Sequence, residues 1–219
     1  MRNLWPSRIT LAAIALTIGV GSARAQSPDD AALVNAVRFG KPDVVRSLLE
    51  RGANPNARVE SPADGNVVSI AFTAMNGMAL MNRLDEPDSA RHAEALEVLK
   101  LLVARKPDLD IPFRTGPRTA TPLMLAAEAG ALDVVRVLID GGADPNAKNG
   151  GGYTALDFAA DRPPSWSTFP KSDRVEIVRL LLAKGARTDR AGADRVRPVD
   201  RARRAGLADV VALLEARTP

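Results

Sequence analysis

One histidine and no cysteine leave this chain of 219 residues few ways to do covalent chemistry. A hydrolytic site needs a nucleophile and a base within hydrogen-bond reach of each other. His92 sits in Ser89-Ala90-Arg91-His92-Ala93, just ahead of a helical pattern, with no second ligand at helical spacing. That placement reads as a capping or solvated histidine rather than a metal ligand or a general base. The run Gly150-Gly151-Gly152 has the glycines of a phosphate-binding loop but lacks the Lys-Ser/Thr pair that follows in one. It leads instead into Tyr153-Thr154, so a flexible hairpin tip is expected. Asp85, Glu86 and Asp88 lack the rest of a calcium loop and read as a solvated acidic turn. Asp157 and Asp161 fall four apart on one helix face, yet a carboxylate pair needs a distinctive third group to act as acid and base. No G-x-S-x-G elbow is present. The sequence thus predicts no catalytic residue, no metal and no cofactor, which leaves binding.

The elements that would position binding residues are clearest between Thr121 and Asn146, TPLMLAAEAGALDVVRVLIDGGADPN. Thr121 can cap a helix whose first residue is Pro122, where a missing N–H costs nothing. Leu123, Leu125, Ala126 and Ala127 follow as a tight apolar stripe, and Gly130 suits the left-handed residue that ends such a helix. Asp133 opens a second helix carrying Val134, Val135, Leu138 and Ile139. Gly141, Gly142 and the turn Asp144-Pro145-Asn146 close it. Neither helix is long enough to stand alone in water, so the unit needs neighbours.

This stretch resembles one ankyrin repeat, a unit of about 33 residues with a T-P-L-H-x-A core. Met124 stands where the family usually has histidine, so the resemblance implies that the hydrogen bonds of that side chain are missing here. The pattern recurs. Gly40 lies nine residues after Ala31, as Gly130 does after Thr121; Arg197 lies 12 after Gly185, as Thr154 does after Gly142. The expected fold is all-α, an α-solenoid of about five helix-turn-helix repeats joined by short hairpin loops. The repeats are placed at 31–58, 68–114, 121–149, 153–190 and 197–217, within a repeat domain spanning 26–219. The second and fourth carry insertions between their helices. These exceed the period by about 17 residues (roughly Met75 to His92) and by about ten (around Arg162 to Pro170). The second repeat has Lys106 where the closing turn should have glycine.

The resemblance implies a non-catalytic protein-interaction module whose partner docks on the hairpin fingers and the inner helices. Carried onto this sequence, the partner-binding residues are Arg58, Glu60, Phe113, Arg114, Lys148, Asn149 and Tyr153. Phe113, Arg114 and Tyr153 are of the types that dominate protein interfaces, although Phe113 can equally tuck under a neighbouring finger. The insertions should emerge from one edge, opposite the fingers and roughly 20 Å apart. Their Met75, Met78 and Met81, and their Trp166 and Phe169, could form a second, apolar docking edge or fold back over their own repeats. The cluster Arg195, Arg197, Arg201, Arg203 and Arg204 reads as a solvated basic cap.

Compartment and charge narrow the partner further. Arg2 and Arg8, the apolar run Ile9 to Val20 and the triplet Ala23-Arg24-Ala25 have the anatomy of a secretory signal peptide cleaved after Ala25. At 12 residues the run is short of the roughly 20 that a membrane-spanning helix needs. Three arginines and no acids lie in residues 1–25, so the remaining chain has 27 basic residues against 26 acidic, a net of +1. A nearly neutral field and an export signal argue against nucleic acid as partner. The expectation is a periplasmic monomer with a protein partner and no membrane insertion after cleavage. An accessory that stabilises a periplasmic enzyme, and more remotely a hydrolase or small-ligand binder built at the insertions, are the alternatives.

Overall fold

The structure is a computed structural model, and it describes residues 27–60, 67–81, 89–115, 118–161 and 171–217. The expected signal peptide and the aromatic insertion residues Trp166 and Phe169 lie outside these. The described helices come in five pairs: α1 (Pro28–Arg38) with α2 (Pro42–Glu50), α3 (Ile70–Met81) with α4 (Ser89–Val103), α5 (Pro122–Ala129) with α6 (Leu132–Asp140), α7 (Ala155–Ala159) with α8 (Lys171–Ala183), and α9 (Pro198–Ala205) with α10 (Ala208–Glu215). The first helix of each pair contacts the first helices of its neighbours, and the second helices stack likewise, giving an inner and an outer layer. None of the described helices is long and apolar enough to cross a membrane.

The two layers follow from residue pattern. In α5, Leu123, Met124, Ala126 and Ala127 are all buried, because the helix is enclosed by α3, α6 and α7. Alanine there lets backbones approach closely while leucine fills the gaps, and each fully buried leucine is worth about 1.5–3 kcal/mol. The outer α6 buries Val134, Val135, Leu138 and Ile139 and leaves Arg136 and Asp140 in water. Thr121 caps α5 by accepting the Met124 N–H at 3.3 Å, and its own N–H donates to the Met124 sulfur at 3.4 Å. The substitution of methionine at this position therefore keeps one weak reciprocal bond where the resemblance implied none.

The closing corners repeat in register. Gly52, Gly142 and Gly185 all have positive φ, between 86° and 98°. Lys106 takes the same corner in the second repeat with φ 52°, a conformation that costs a side-chain-bearing residue roughly 1–2 kcal/mol. The second repeat departs from expectation elsewhere too. Its first helix runs 12 residues and its second 15, against 8 and 9 in the third repeat. The Met75–His92 insertion is thus largely consumed in lengthening both helices, since methionine, leucine, alanine and arginine propagate a helix once it is nucleated. Met75 is buried there rather than presented at an edge. Two fingers contain short antiparallel ladders: β1 (Arg58–Glu60) pairs with β2 (Val67–Ser69), and β3 (Phe113–Thr115) with β4 (Arg118–Ala120).

Between repeats runs a chain of hydrogen bonds made by Asn and Asp side chains in the turns. Within a turn, Asn54, Asp108 and Asp144 each accept the N–H two residues on, at 2.9, 3.1 and 2.8 Å. The residues so fixed, Asn56, Asp110 and Asn146, then reach across. Each accepts a backbone N–H of the following repeat, from Asp108 at 2.7 Å, Asp144 at 3.0 Å and Arg187 at 2.9 Å. Asn146 also donates to the Gly185 carbonyl at 2.9 Å. Asp30 makes the corresponding bond to the Asn54 N–H inside the first repeat.

Asp110 is the acidic link in this chain. Burial pushes its carboxyl pKa up; the bond from the Asp144 N–H opposes that, and the nearby charges of Asp144 and Asp108 add to it. A carboxylate whose folded pKa is raised disfavours the fold once ionised, so its contribution is best at low pH and is lost as pH rises through the raised value. Asp110→Asn should keep the accepting oxygen, as Asn56 and Asn146 do, and remove the charge. Urea unfolding at pH 7 should show the variant more stable by up to about 1 kcal/mol after allowance for solvent screening. The advantage should vanish in acid, and a less stable variant at pH 7 would contradict this assignment.

Candidate functional site: a charged cleft on the inner face

A cleft of about 410 Å³ opens on the inner face, lined by Arg118 and Thr119 of β4, Glu128 of α5, the turn 149–153, Asp157 and Phe158 of α7, Asp161, and Arg201 of α9. Three repeats and the second finger contribute to it. A smaller recess of about 260 Å³ lies between the first two fingers, lined in part by Asn56, Arg58, Ile70, Asp108 and Phe113.

The turn of the third finger is built by Asn149, which is buried. Its Nδ2 donates to the Thr119 carbonyl at 2.7 Å, while its Oδ1 accepts from the Gly151 and Tyr153 N–H groups at 2.9 and 3.0 Å. Gly150 adds its N–H to the Thr119 hydroxyl at 2.8 Å. The third finger is thereby tied to the second. The Tyr153 ring packs so closely on Gly151 and Gly192 that a Cβ would lie 2.7 Å from it at the former and 2.2 Å at the latter. Gly151 and Gly192 thus permit close packing of the Tyr153 ring, while Gly152 supplies a positive φ of 74°.

Two arginines stack on the aromatic walls. The Arg118 guanidinium lies 5.0 Å from the Phe158 ring centroid and its Nη2 donates to both Glu128 oxygens, at 2.7 and 2.6 Å. The Arg201 guanidinium lies 5.2 Å from the Tyr153 centroid. Its Nη1 donates to Asp161 at 3.1 Å and its Nη2 to Asp194 at 2.6 Å, and Nε faces Asp157 Oδ1 at 3.9 Å. That last separation is an ion pair but too long for a hydrogen bond. Burial opposes the charge on Arg201, yet Asp194 and Asp161 together hold its pKa above the usual arginine value.

Asp157 serves two structures at once. As the third residue of α7 its Oδ2 accepts from the Thr154 N–H at 2.8 Å and the Thr154 hydroxyl at 3.1 Å, closing the helix N-terminus. Its Oδ1 has no hydrogen-bond partner, nor has Arg201 Nε. Burial pushes the Asp157 carboxyl up, while Thr154 and then Arg201 pull it down. Beneath the cleft Arg174 of α8, 5 % exposed, donates to the Ala159 carbonyl at 2.8 Å and the Glu128 carbonyl at 2.7 Å. One guanidinium therefore satisfies the C-terminal carbonyls of both inner helices, where α7 ends without a glycine.

The sequence-derived docking residues divide. Arg58, Arg114 and Lys148 are exposed on the fingers, and Glu60 ends β1 with its side chain outside the described set. Phe113 is corrected. It is 3 % exposed and lies 3.9 Å, centroid to centroid, from Phe72 of α3, so burial of two rings wins over display. Asn149 is a strut of the finger, not a free contact, because its amide is consumed internally. Tyr153 is partly buried as a wall of the cleft. In the basic cap Arg195, Arg197, Arg203 and Arg204 are exposed as expected, Arg197 and Arg203 pairing with Asp200 and Arg203 also with Glu215, and Arg201 alone departs by turning inward. His92, read as a cap or a solvated group, bridges two outer helices through Nε2 to Asp133 Oδ2 at 2.6 Å. Sequence reasoning missed Arg118, Glu128, Phe158, Arg174 and Arg201. The spacing of Thr154 and Asp157 did carry a capping signal.

Comparison with known proteins agrees with this architecture. Residues 30–59 match the family model of the ankyrin repeat, and residues 102–159 that of ankyrin repeats in many copies. A putative ankyrin repeat-containing protein of Treponema pallidum (strain Nichols) is 32 % identical over 157 residues, 68 % of this chain and 49 % of that protein. The mitochondrial disaggregase of Bos taurus is 28 % identical over 150 residues, 63 % of this chain and 22 % of its own length. Regulatory protein NPR5 of Arabidopsis thaliana is 35 % identical over 104 residues, 46 % of this chain and 21 % of its own. The chain thus spans about a fifth to a half of these relatives.

The Arg174 staple makes a measurable demand. Arg174→Ala leaves buried carbonyls at the ends of α5 and α7 without a donor, which should cost about 2–4 kcal/mol. Arg174→Lys should recover part of that, since one ammonium cannot span both helix ends as a guanidinium does. Urea unfolding checks both; a loss below about 0.5 kcal/mol for the alanine variant would show that the staple is dispensable.

Proposed function

We propose, from the premise that this is an ankyrin-repeat protein, that the chain works in the bacterial periplasm as a non-catalytic docking module for another protein. Ankyrin repeats imply protein–protein interaction, and such domains are typically non-catalytic. The observation that carries the reading is the composite cleft. Side chains from three repeats and the second finger converge on the inner face beside a row of fingers bearing the exposed Arg58, Arg114 and Lys148. A surface assembled from several repeats presents a partner with one fixed constellation, because finger and helix positions are tied by the turn hydrogen bonds. The periplasmic part of the proposal is supported by the anatomy of residues 1–25. Trp166 and Phe169 are not needed for it.

One experiment examines both parts. A photo-crosslinking residue placed at position 114 or 148 of the full chain, and separately at Arg136 on the outer layer, is irradiated in intact bacterial cells. Adducts should form from positions 114 and 148, in the periplasmic fraction, on a chain beginning at Gln26. Equal cross-linking from position 136 would contradict docking on the inner face. A cytosolic chain retaining Met1 would contradict export.

A further inference from the structure

We propose that the open side of the first helix pair, α1 with α2, is a self-docking face on which a second copy of this chain packs about a two-fold axis. The inference goes beyond the docking of another protein and uses a different part of the surface.

Burial at corresponding positions supplies the observation. Gly40, Gly52 and Asn56 of the first repeat correspond to Gly130, Gly142 and Asn146 of the third. Val44 therefore corresponds to Val134 and, counted from Gly206, to Val210. Val134 and Val210 are 3 % and 1 % exposed, whereas Val44 is 50 % exposed. The next position behaves oppositely: Val45 and Val135 are fully buried, and Val211 of the last repeat is partly exposed. The Val44 position is thus the one that a preceding repeat covers, and the Val45 position faces the following one. Phe39 is 65 % exposed, while its counterparts Ala129 and Ala205 are partly buried. Phe39 and Val44 are the large apolar side chains left exposed among the described residues, and no described helix packs before α1 and α2.

The two ends of the array differ. A repeat array ordinarily ends in a polar face. The far end obeys, with Arg203 paired to Asp200 and Glu215. The near end keeps the apolar character of an internal stacking face. Scattered apolar side chains in water need no cover, but two on one stacking face mark a contact.

Charge selects the occupant. Asp43 corresponds to Asp133, which meets His92 of the preceding repeat at 2.6 Å. A carboxylate at this position therefore suits an N–H or cationic group on whatever packs before it. Lys41 stands two residues earlier, on the turn joining α1 to α2. Both side chains are exposed, and neither has an ion pair among the described residues. A two-fold contact sets residue i of one copy against j of the other and the reverse, so its patch must carry both members of each pair. Phe39 and Val44 supply the apolar centre, and Lys41 and Asp43 the opposite charges. The polar far end offers no apolar match, which disfavours head-to-tail stacking into a filament.

Sedimentation velocity on the purified full chain, from about 1 to about 200 µM, reads the assembly. A reversible monomer–dimer equilibrium is expected, with a dissociation constant in roughly the micromolar range for so small a patch. Phe39→Asn and Val44→Thr alter side chains already exposed in one copy, so neither threatens the fold. Each should weaken the dimer at least about tenfold. Lys41→Asp and Asp43→Lys should each weaken it several-fold, and the two together should restore it, because each charge meets the other across the axis. Ala212→Asn, at the far end, should change nothing. A chain that stays monomeric, whether its face is bare or covered by the segment before Ser27 or by a different protein, would overturn the proposal. So would assembly that grows past the dimer, indifference to Phe39→Asn and Val44→Thr, or a double charge swap no better than the single ones. Cross-linking from positions 114 and 148 reads the fingers rather than this end, so either proposal can fail alone.

Discussion

The first four repeats are held in order by Asn and Asp side chains, each accepting a hydrogen bond from a backbone N–H of the next repeat, and the geometry of the inner face depends on that linkage. The energy of the array comes mainly from elsewhere. A net contribution of about 0.5–1.5 kcal/mol per hydrogen bond is small beside the buried leucines and valines of ten stacked helices. Apolar packing alone, however, tolerates sliding between helices of similar shape. Asn56, Asp110 and Asn146 remove that freedom, because each accepting oxygen is first oriented by its own turn and then meets one particular N–H. The chain ends where Arg187 replaces the Asx residue and pairs instead with Asp189.

That register makes the cleft possible. Arg118 comes from the second finger, Glu128 from the third repeat, Asp157 and Phe158 from the fourth and Arg201 from the last. No single repeat contains the constellation, so it exists only once the array is assembled. The fifth repeat accordingly does more than end the solenoid with a polar face. Arg201 closes one wall of the cleft and spans to Asp161 in the repeat before, while Ala193 donates its N–H to the Gly151 carbonyl at 2.8 Å.

The repeats were legible in the sequence because their signals are local: a cap, an apolar stripe, a glycine corner and an Asx turn recur at fixed spacing. Even the irregular second repeat keeps Asp108 and Asp110 in the places of Asn54 and Asn56. The site was less legible because its partners are distant in the chain. Asp157 and Asp161 lacked a third group within view, and that group, Arg201, lies 40 residues beyond Asp161 in a stretch that reads as a solvated basic cap. Arg174 looks like any exposed helical arginine until the last turn of α5, 46 residues earlier, is placed beside it. Phe113 has the residue type and loop position of a docking residue, but Phe72 offers it a ring to bury against. Helix extension through the first insertion reflects the same limit, since period counting marks an excess without saying what form it takes.

Native-state amide hydrogen exchange tests the linkage most directly. The N–H groups of Asp108, Asp144 and Arg187 lie in exposed turns, where amides ordinarily exchange fast, and their acceptors are side chains of the preceding repeat. They should be protected to about the level of the flanking outer helices, and Asn146→Ala should release the Arg187 amide while leaving Asp108 protected. Exchange of all three at the rate of unprotected loop amides would contradict the account.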